Sequence, residues 1–319
     1  MHDFGGAARR WLIADTSGDR KMRFATATPS ERPRIEDILE IDVEGLPTFT
    51  DALQKYARES GNVLSELDCV LCMAGAVSGE MVHLQRSNWT ITRGGLSALF
   101  NSKVRIINDV VARGWAMRSG HAQVSPVRGA GIPSLQKPGR MLKLLVAGGV
   151  GAAIVDVNRE GKPRILETES GHMDFAPSNE REEKLAKALK GNEPTVSWER
   201  VLTVSKDDPV WQQALPELVG TEREKLQAGI LGRMVVNLMH AHGAWQGVML
   251  AGTPAKTLSS CSNRLGFDGA FLQRRPFSRL VGSAPVWWVD TREAVLTGGA
   301  ELMAHRMIER RNVPDAAAA

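Results

Sequence analysis

The chain has 319 residues, which is enough for a sizeable core and, by preference, two lobes. Hydrophobic residues at 43% and charged residues at 24% exclude a disordered or fibrous class. Forty Lys and Arg against 36 Asp and Glu leave a net charge of +4, carried in short scattered groups (Arg9-Arg10, Arg20-Lys21, Arg274-Arg275, Arg306 to Arg311) that read as solvated surface, so no nucleic-acid partner is expected.

At the N-terminus, Trp11-Leu12-Ile13-Ala14 is too short for a signal-peptide core and meets Asp15 at once. No run of about 18 apolar residues follows anywhere, so no membrane partner and a cytoplasmic location are expected. Strands are expected over 10–14 and 22–28, joined as a hairpin by Asp15-Thr16-Ser17-Gly18-Asp19. Phe49, Leu53 and Tyr56 recur at helical spacing and predict a helix over 47–58. A strand over 67–74 holds Cys69 and Cys72, whose spacing of three sends them to opposite faces, a geometry for core packing and not for a redox pair or metal. Three cysteines in all make no disulfide framework and point to a reducing compartment. After the turn Gly75 to Gly79 come a helix near 94–101 and a strand over 104–107, completing an α/β lobe with a mixed sheet.

The second half opens with a strand over 141–147, the glycine turn 148–151 and a second strand to Val157. A charged helix over 179–190, a long one over 222–242 with Leu231, Val235, Leu238 and Met239 on one face, strands at 247–251 and 286–289, and a terminal helix over 293–310 follow. Hairpin, glycine turn and helix recur in both halves, hinting at a duplicated architecture. Pro314-Asp315 and four alanines read as a frayed tail.

Three islands carry chemistry. Ile106-Ile107-Asn108-Asp109 delivers an amide and a carboxylate from the end of an apolar strand. Glu169-Ser170-Gly171-His172-Met173-Asp174-Phe175-Ala176-Pro177 sets a carboxylate and an imidazole three apart around a glycine, suiting a small polyhydroxylated ligand. Trp198-Glu199-Arg200-Val201-Leu202 adds a further carboxylate. Taken singly, Asp109 reads as a strand-end helix cap, His172 as a core histidine, Glu199 as a salt-bridged helix start, and Asp174 as a turn residue bonding backbone amides.

In colinear order with Gly148 to Gly151, Gly232 to Leu238 and Ala251-Gly252, these islands make the chain resemble bacterial glucokinases over nearly its whole length. A weaker match is the late spacing of Phe267, Phe271, Phe277 and Pro285-Val286, expected to be core. The resemblance implies a two-lobed, actin-like, hexokinase-type (ribonuclease H-like) α/β fold with mixed sheets and a cleft between lobes, the small lobe spanning 1–118 with 300–319 and the large one 119–299. It implies glucokinase activity, the ATP-dependent phosphorylation of glucose at the 6-hydroxyl at the entry to glycolysis, with ATP and Mg2+ as cofactors and a homodimer as the assembly common among relatives. Asp109 takes the place of the general base, and Asn108, Glu169, His172 and Glu199 those of the sugar ligands. Asp15, Gly18, Gly149, Gly151 and Gly252 fall on the nucleotide side, and no metal ligand is assigned.

The nucleotide side departs from the family's pattern. Ser17 replaces a glycine and Asp19 stands where a threonine is expected, and a carboxylate facing phosphate oxygens repels them. At the second turn no threonine accompanies Gly149-Val150-Gly151, and at the third Pro254 removes a backbone donor after Gly252-Thr253. Two further readings therefore stand beside the kinase: a glucose-binding homologue with weakened or lost phosphoryl transfer, acting as a sensor or regulatory protein, and a kinase using another donor such as polyphosphate.

Overall fold

A computed structural model describes residues 9–18, 20–84, 89–260, 263–273 and 276–311. Asp19, Cys261, Arg274-Arg275 and the tail from Pro314 lie outside the described residues. The chain begins β1 (Trp11–Asp15), β2 (Lys21–Ala27), β3 (Ile35–Asp42), α1 (Phe49–Ser60), β4 (Asp68–Met73), β5 (Met81–His83), β6 (Thr90–Thr92), α2 (Arg93–Phe100), β7 (Arg105–Asn108) and α3 (Asp109–Trp115). It continues β8 (Gln123–Arg128), β9 (Gly139–Val146), β10 (Val150–Val157), β11 (Pro163–Thr168), α4 (Glu180–Lys190), α5 (Trp198–Thr203), α6 (Val210–Ala214) and α7 (Thr221–His242). β12 (Val248–Ala251), α8 (Thr253–Leu258), α9 (Arg264–Leu272), α10 (Ser278–Ser283), β13 (Val286–Asp290) and α11 (Ala294–Arg311) complete it. Two compact units result, one from the residues up to Ala122 with those from Thr291, the other from Gln123–Asp290, against the expected divisions at 118 and 300.

The first unit is a five-stranded sheet in the order β3-β2-β1-β4-β7, antiparallel through β3, β2 and β1 and parallel through β1, β4 and β7. Alternation along each strand divides its side chains between two faces. Leu12, Ala14, Cys69, Leu71 and Met73 join α1 and α2 in one core, where Phe24 stacks on Tyr56 at 4.5 Å between ring centroids. The expected helix is α1, started by a Thr48–Asp51 capping box and closed by left-handed Gly61. On the other face, a Cβ on Gly299 would meet Ile13 Cγ2 at 2.6 Å and Cys72 Sγ at 3.2 Å, so α11 lies directly on the sheet. Both described cysteines are free and buried, as their packing role requires, and burial pushes each thiol well up.

The second unit holds a six-stranded sheet, β11-β10-β9-β12-β13-β8. It is antiparallel through β11, β10 and β9 and parallel through β9, β12 and β13, and β8 closes it antiparallel. Its first five strands repeat the pattern of the first unit, so the duplicated architecture hinted at by sequence is present in the topology. Leu142, Leu144 and Leu250 bury against α7, whose Leu231, Val235, Leu238 and Met239 all face inward. Gly232 has Phe267 O at 2.3 Å from a would-be Cβ, which is how α9 comes so close to α7.

Five strands were not expected from sequence: β5 and β6, which pair with each other in a two-stranded sheet, and three edge strands of the larger sheets. β3 carries a bulge and left-handed Asp37, which break its alternation; β8 contains Pro126, tolerated at an edge; β11 is only half-buried. The expectation that Phe277 is core is corrected. Phe267 and Phe271 are buried, but Phe277 has left-handed backbone (φ 58°) and stands 64% exposed beside Trp245 and His240. Among the described residues no helix is long and apolar enough to cross a membrane.

Candidate active site

In the first unit the parallel strands β1, β4 and β7 end together, with Asp15 beside Cys72 and Met73 beside Asn108. The carboxyl ends of parallel strands are where α/β sheets place ligands. Asp15 is buried, and its Oδ1 accepts from Ser17 N at 3.0 Å and Ser17 Oγ at 2.6 Å. The hydroxyl that replaces a family glycine is therefore turned onto the protein's own carboxylate. Gly18 is needed locally as well, since a Cβ there would meet Lys21 O at 2.5 Å across the hairpin.

Asn108 ends β7 and caps α3: its Oδ1 accepts from Val110 N at 2.8 Å, and its Nδ2 donates to Gly75 O at 3.1 Å. The capping role weighed for Asp109 thus falls to its neighbour. Asp109 opens α3 with 7% of its surface accessible. Burial pushes its carboxyl above the usual carboxylate range, Asp15 adds to that, and Arg113 and the Val110 amide oppose it. A buried carboxylate with a raised proton affinity suits a general base.

In the second unit the other predicted residues converge on Val150. The β9–β10 hairpin closes through Ala147 N donating to Gly149 O at 2.8 Å, and the turn is Ala147-Gly148-Gly149. Gly151 lies inside β10 opposite Leu145, which corrects its placement in the turn. Glu199 sits in the first turn of α5, capped by Ser197, and its Oε2 accepts from Val150 N at 2.7 Å. A Cβ on Gly149 would lie 2.9 Å from that same oxygen.

Glu169 and His172 flank a single helical turn, with His172 Nε2 3.7 Å from Glu169 Oε2 and side chains 50% and 43% accessible, open to a ligand. Gly171 brings this turn against β10, where a Cβ would meet Val150 O at 2.2 Å. One peptide neighbourhood therefore positions all three polar side chains. Gly252, left-handed at φ 89°, packs on Val146 O near the same hairpin and starts α8. Pro254 falls in the first turn of α8, where its missing N–H costs no helical bond.

The segment 169–177 is fastened by contacts that the sequence reading did not assign. Phe175 N donates to Val196 O, Trp198 N to Met173 O, and the two rings meet edge-on at 4.9 Å. Asp174 accepts from Thr195 Oγ1 at 2.8 Å, a hydroxyl in place of the expected backbone amides. Arg233, from the Gly-Arg motif of α7, grips both oxygens of buried Glu182 at 2.6 Å, bonds Ser178 Oγ and lies over the Phe175 ring. Its position after Gly232 was the available signal, but the partner is 51 residues distant in sequence.

Known proteins match this arrangement along the chain. Glucokinases of Stenotrophomonas maltophilia (strain K279a) and Chromobacterium violaceum are 27% and 28% identical to it, covering 99% and 98% of this chain and 97% and 95% of their own. Among solved structures, the glucokinase of an Antarctic psychrotroph superposes with a TM-score of 0.71 at 20% identity over 93% of this chain and 99% of its own. The glucokinase of Balamuthia mandrillaris in complex with glucose gives 0.69 at 17% identity, over 94% and 95%. The glucokinase family model aligns with residues 12–205 and 210–306, taking in Asp15, Asn108-Asp109, the segment 169–177, Glu199 and most of α11; the chain belongs to the glucokinase family.

Proposed function

We propose that this protein transfers the γ-phosphoryl group of ATP to the 6-hydroxyl of glucose, with Asp109 as general base. The oxygen of the 6-hydroxyl forms the new bond to phosphorus, the bond to the β-phosphate oxygen breaks, the hydroxyl proton passes to Asp109, and ADP leaves. The carrying observation is the buried Asp109 carboxylate at the carboxyl end of β7, relieved of helix capping by Asn108. Phosphoryl transfer requires positioning and charge more than covalent help, so one oriented carboxylate suffices as base.

Asn108, Glu169, His172 and Glu199 are assigned to the sugar. Glu169 and His172 offer an acceptor and a donor side by side, as vicinal hydroxyls require. Asn108 keeps one amide hydrogen beyond its bond to Gly75, and Glu199 keeps Oε1 beyond its bond to Val150. Asp15, Gly18, Gly149 and Gly252 are assigned to the nucleotide side, and Gly151 acts from inside β10. Magnesium enters as part of the MgATP substrate. Among the described residues no group of three His, Cys, Asp or Glu is placed to hold a metal ion.

A coupled assay for glucose 6-phosphate with MgATP tests the reading, beside calorimetric titration with glucose. Turnover that falls at least about a thousandfold in Asp109→Asn, with glucose binding and the melt retained, is expected from loss of a general base and its charge. Glucose binding without turnover under MgATP would sink it.

A further inference from the structure

Arg113 lies one helical turn beyond Asp109 on α3, its Nε 3.7 Å from Asp109 Oδ2. That is ion-pair reach but too long for a hydrogen bond. The Nε atom is buried and has no hydrogen-bond partner, although 28% of the side chain remains accessible. An unpaired buried donor is costly, and a guanidinium is the residue best suited to seize both oxygens of a carboxylate. Here it stops short, supplying charge without taking up a lone pair of Asp109 in a hydrogen bond.

The surroundings make that charge matter. Asp15 on β1 and Asp109 on α3 are both buried, and Asp15 acts to hold a proton on Asp109. Cys72 on β4 is a buried thiol kept protonated by burial. From α11, Glu301 pairs with Arg118, His305 lies over Trp115 and pairs with Glu309, and Arg306 also pairs with Glu309. Arg105 on β7 faces Arg306, Arg310 and Glu309. Arg113 thus sets a positive charge against Asp109, on which the buried Asp15 also acts.

We propose that Arg113 is a positioning residue, the counter-charge that keeps the Asp109 carboxylate available as proton acceptor in a pocket it shares with Asp15. This rests on the assignment of Asp109 as general base. An opposite charge within 4–6 Å typically lowers a carboxyl pKa by one to three units, so Arg113→Leu should raise that of Asp109 by about one. The acid limb of the kcat/KM profile then moves up by about one pH unit, a loss of about tenfold below the limb that narrows above it. Glucose KM should change much less than kcat/KM, and Arg113→Lys should restore most of the shift.

The 13C titration of the Asp109 carboxyl, assigned by its absence in Asp109→Asn and recorded without substrate in wild type, Arg113→Leu and Arg113→Lys, reads the same effect independently of turnover. An upward shift in Arg113→Leu that Arg113→Lys reverses supports the proposal. A titration unchanged between wild type and Arg113→Leu, with cooperative melts in both, overturns it. Wild-type protein forming no glucose 6-phosphate from MgATP at any pH would overturn the functional reading instead, leaving the carboxyl titration to decide the role of Arg113.

Discussion

Gly149→Ala tests whether the glycine hairpin and the Glu199 carboxylate form one unit. The added Cβ would lie 2.9 Å from Glu199 Oε2, where ordinary contact begins at 3.4 Å, so the oxygen must retreat by about 0.5 Å (3.4 − 2.9). Its bond to Val150 N, now 2.7 Å, would stretch to about 3.2 Å, beyond the range of a charge-assisted hydrogen bond. Such a bond contributes about 1.5–3 kcal/mol. The obstacle is the end of a flexible side chain, and Gly149 is not left-handed, so the lower figure applies to stability. The melt should fall by about 3–6 °C. Under the proposed assignment of Glu199 to the sugar, a loss of about 1.5 kcal/mol there weakens glucose affinity about tenfold. Calorimetric titration of wild type, Gly149→Ala, Glu199→Gln and the double variant reads this directly. The double variant should weaken binding by less than the product of the single effects, because both act on one contact. Wild-type glucose affinity in Gly149→Ala, with an unchanged melt, would refute the reasoning.

Arg233→Met leaves Glu182 buried without its cation and should destabilise the protein by about 3–5 kcal/mol in denaturant unfolding, with Glu182→Gln in the same background recovering part of it. Burial pushes the Glu182 carboxyl up, but the bonds from Arg233 and Ser178 hold it below the usual carboxylate range. A depressed folded-state pKa stabilises above the unfolded value and is lost as pH falls through the folded one. The difference between wild type and Arg233→Met should therefore be full at neutral pH and shrink below about pH 4. Gly298→Ala places a Cβ 1.7 Å from Ala112 O, a backbone atom that cannot rotate away, so α11 must lift from α3. A loss of about 1–3 kcal/mol in the melt is expected, and displacement of the helix that carries Asp109 should lower kcat by about a hundredfold.

Much of this protein was legible along the chain because the signals are local. Period-two and period-3.6 patterns marked the buried central strands and the long helices, since a residue that faces the core all along an element must repeat with that element's geometry. Edge strands such as β8, with its proline, escaped because half their surface is solvated and the pattern loosens. Asn108-Asp109 and Glu169 to His172 could be picked out, but not which of the first pair caps α3, because that depends on where β7 ends. Phe277 looked like core because aromatic spacing carries no information about a left-handed backbone.

By itself the sequence determined the α/β class, the family and the residue types able to handle a hydroxylated ligand. Only tertiary structure decided how they are held: Val150 offering its N–H to Glu199 and packing its carbonyl against Gly171, Arg233 reaching Glu182 across 51 residues, and Arg113 standing just short of Asp109. The physical reason is that hydrogen bonds and ion pairs act over about 3–4 Å in space whatever the separation in sequence.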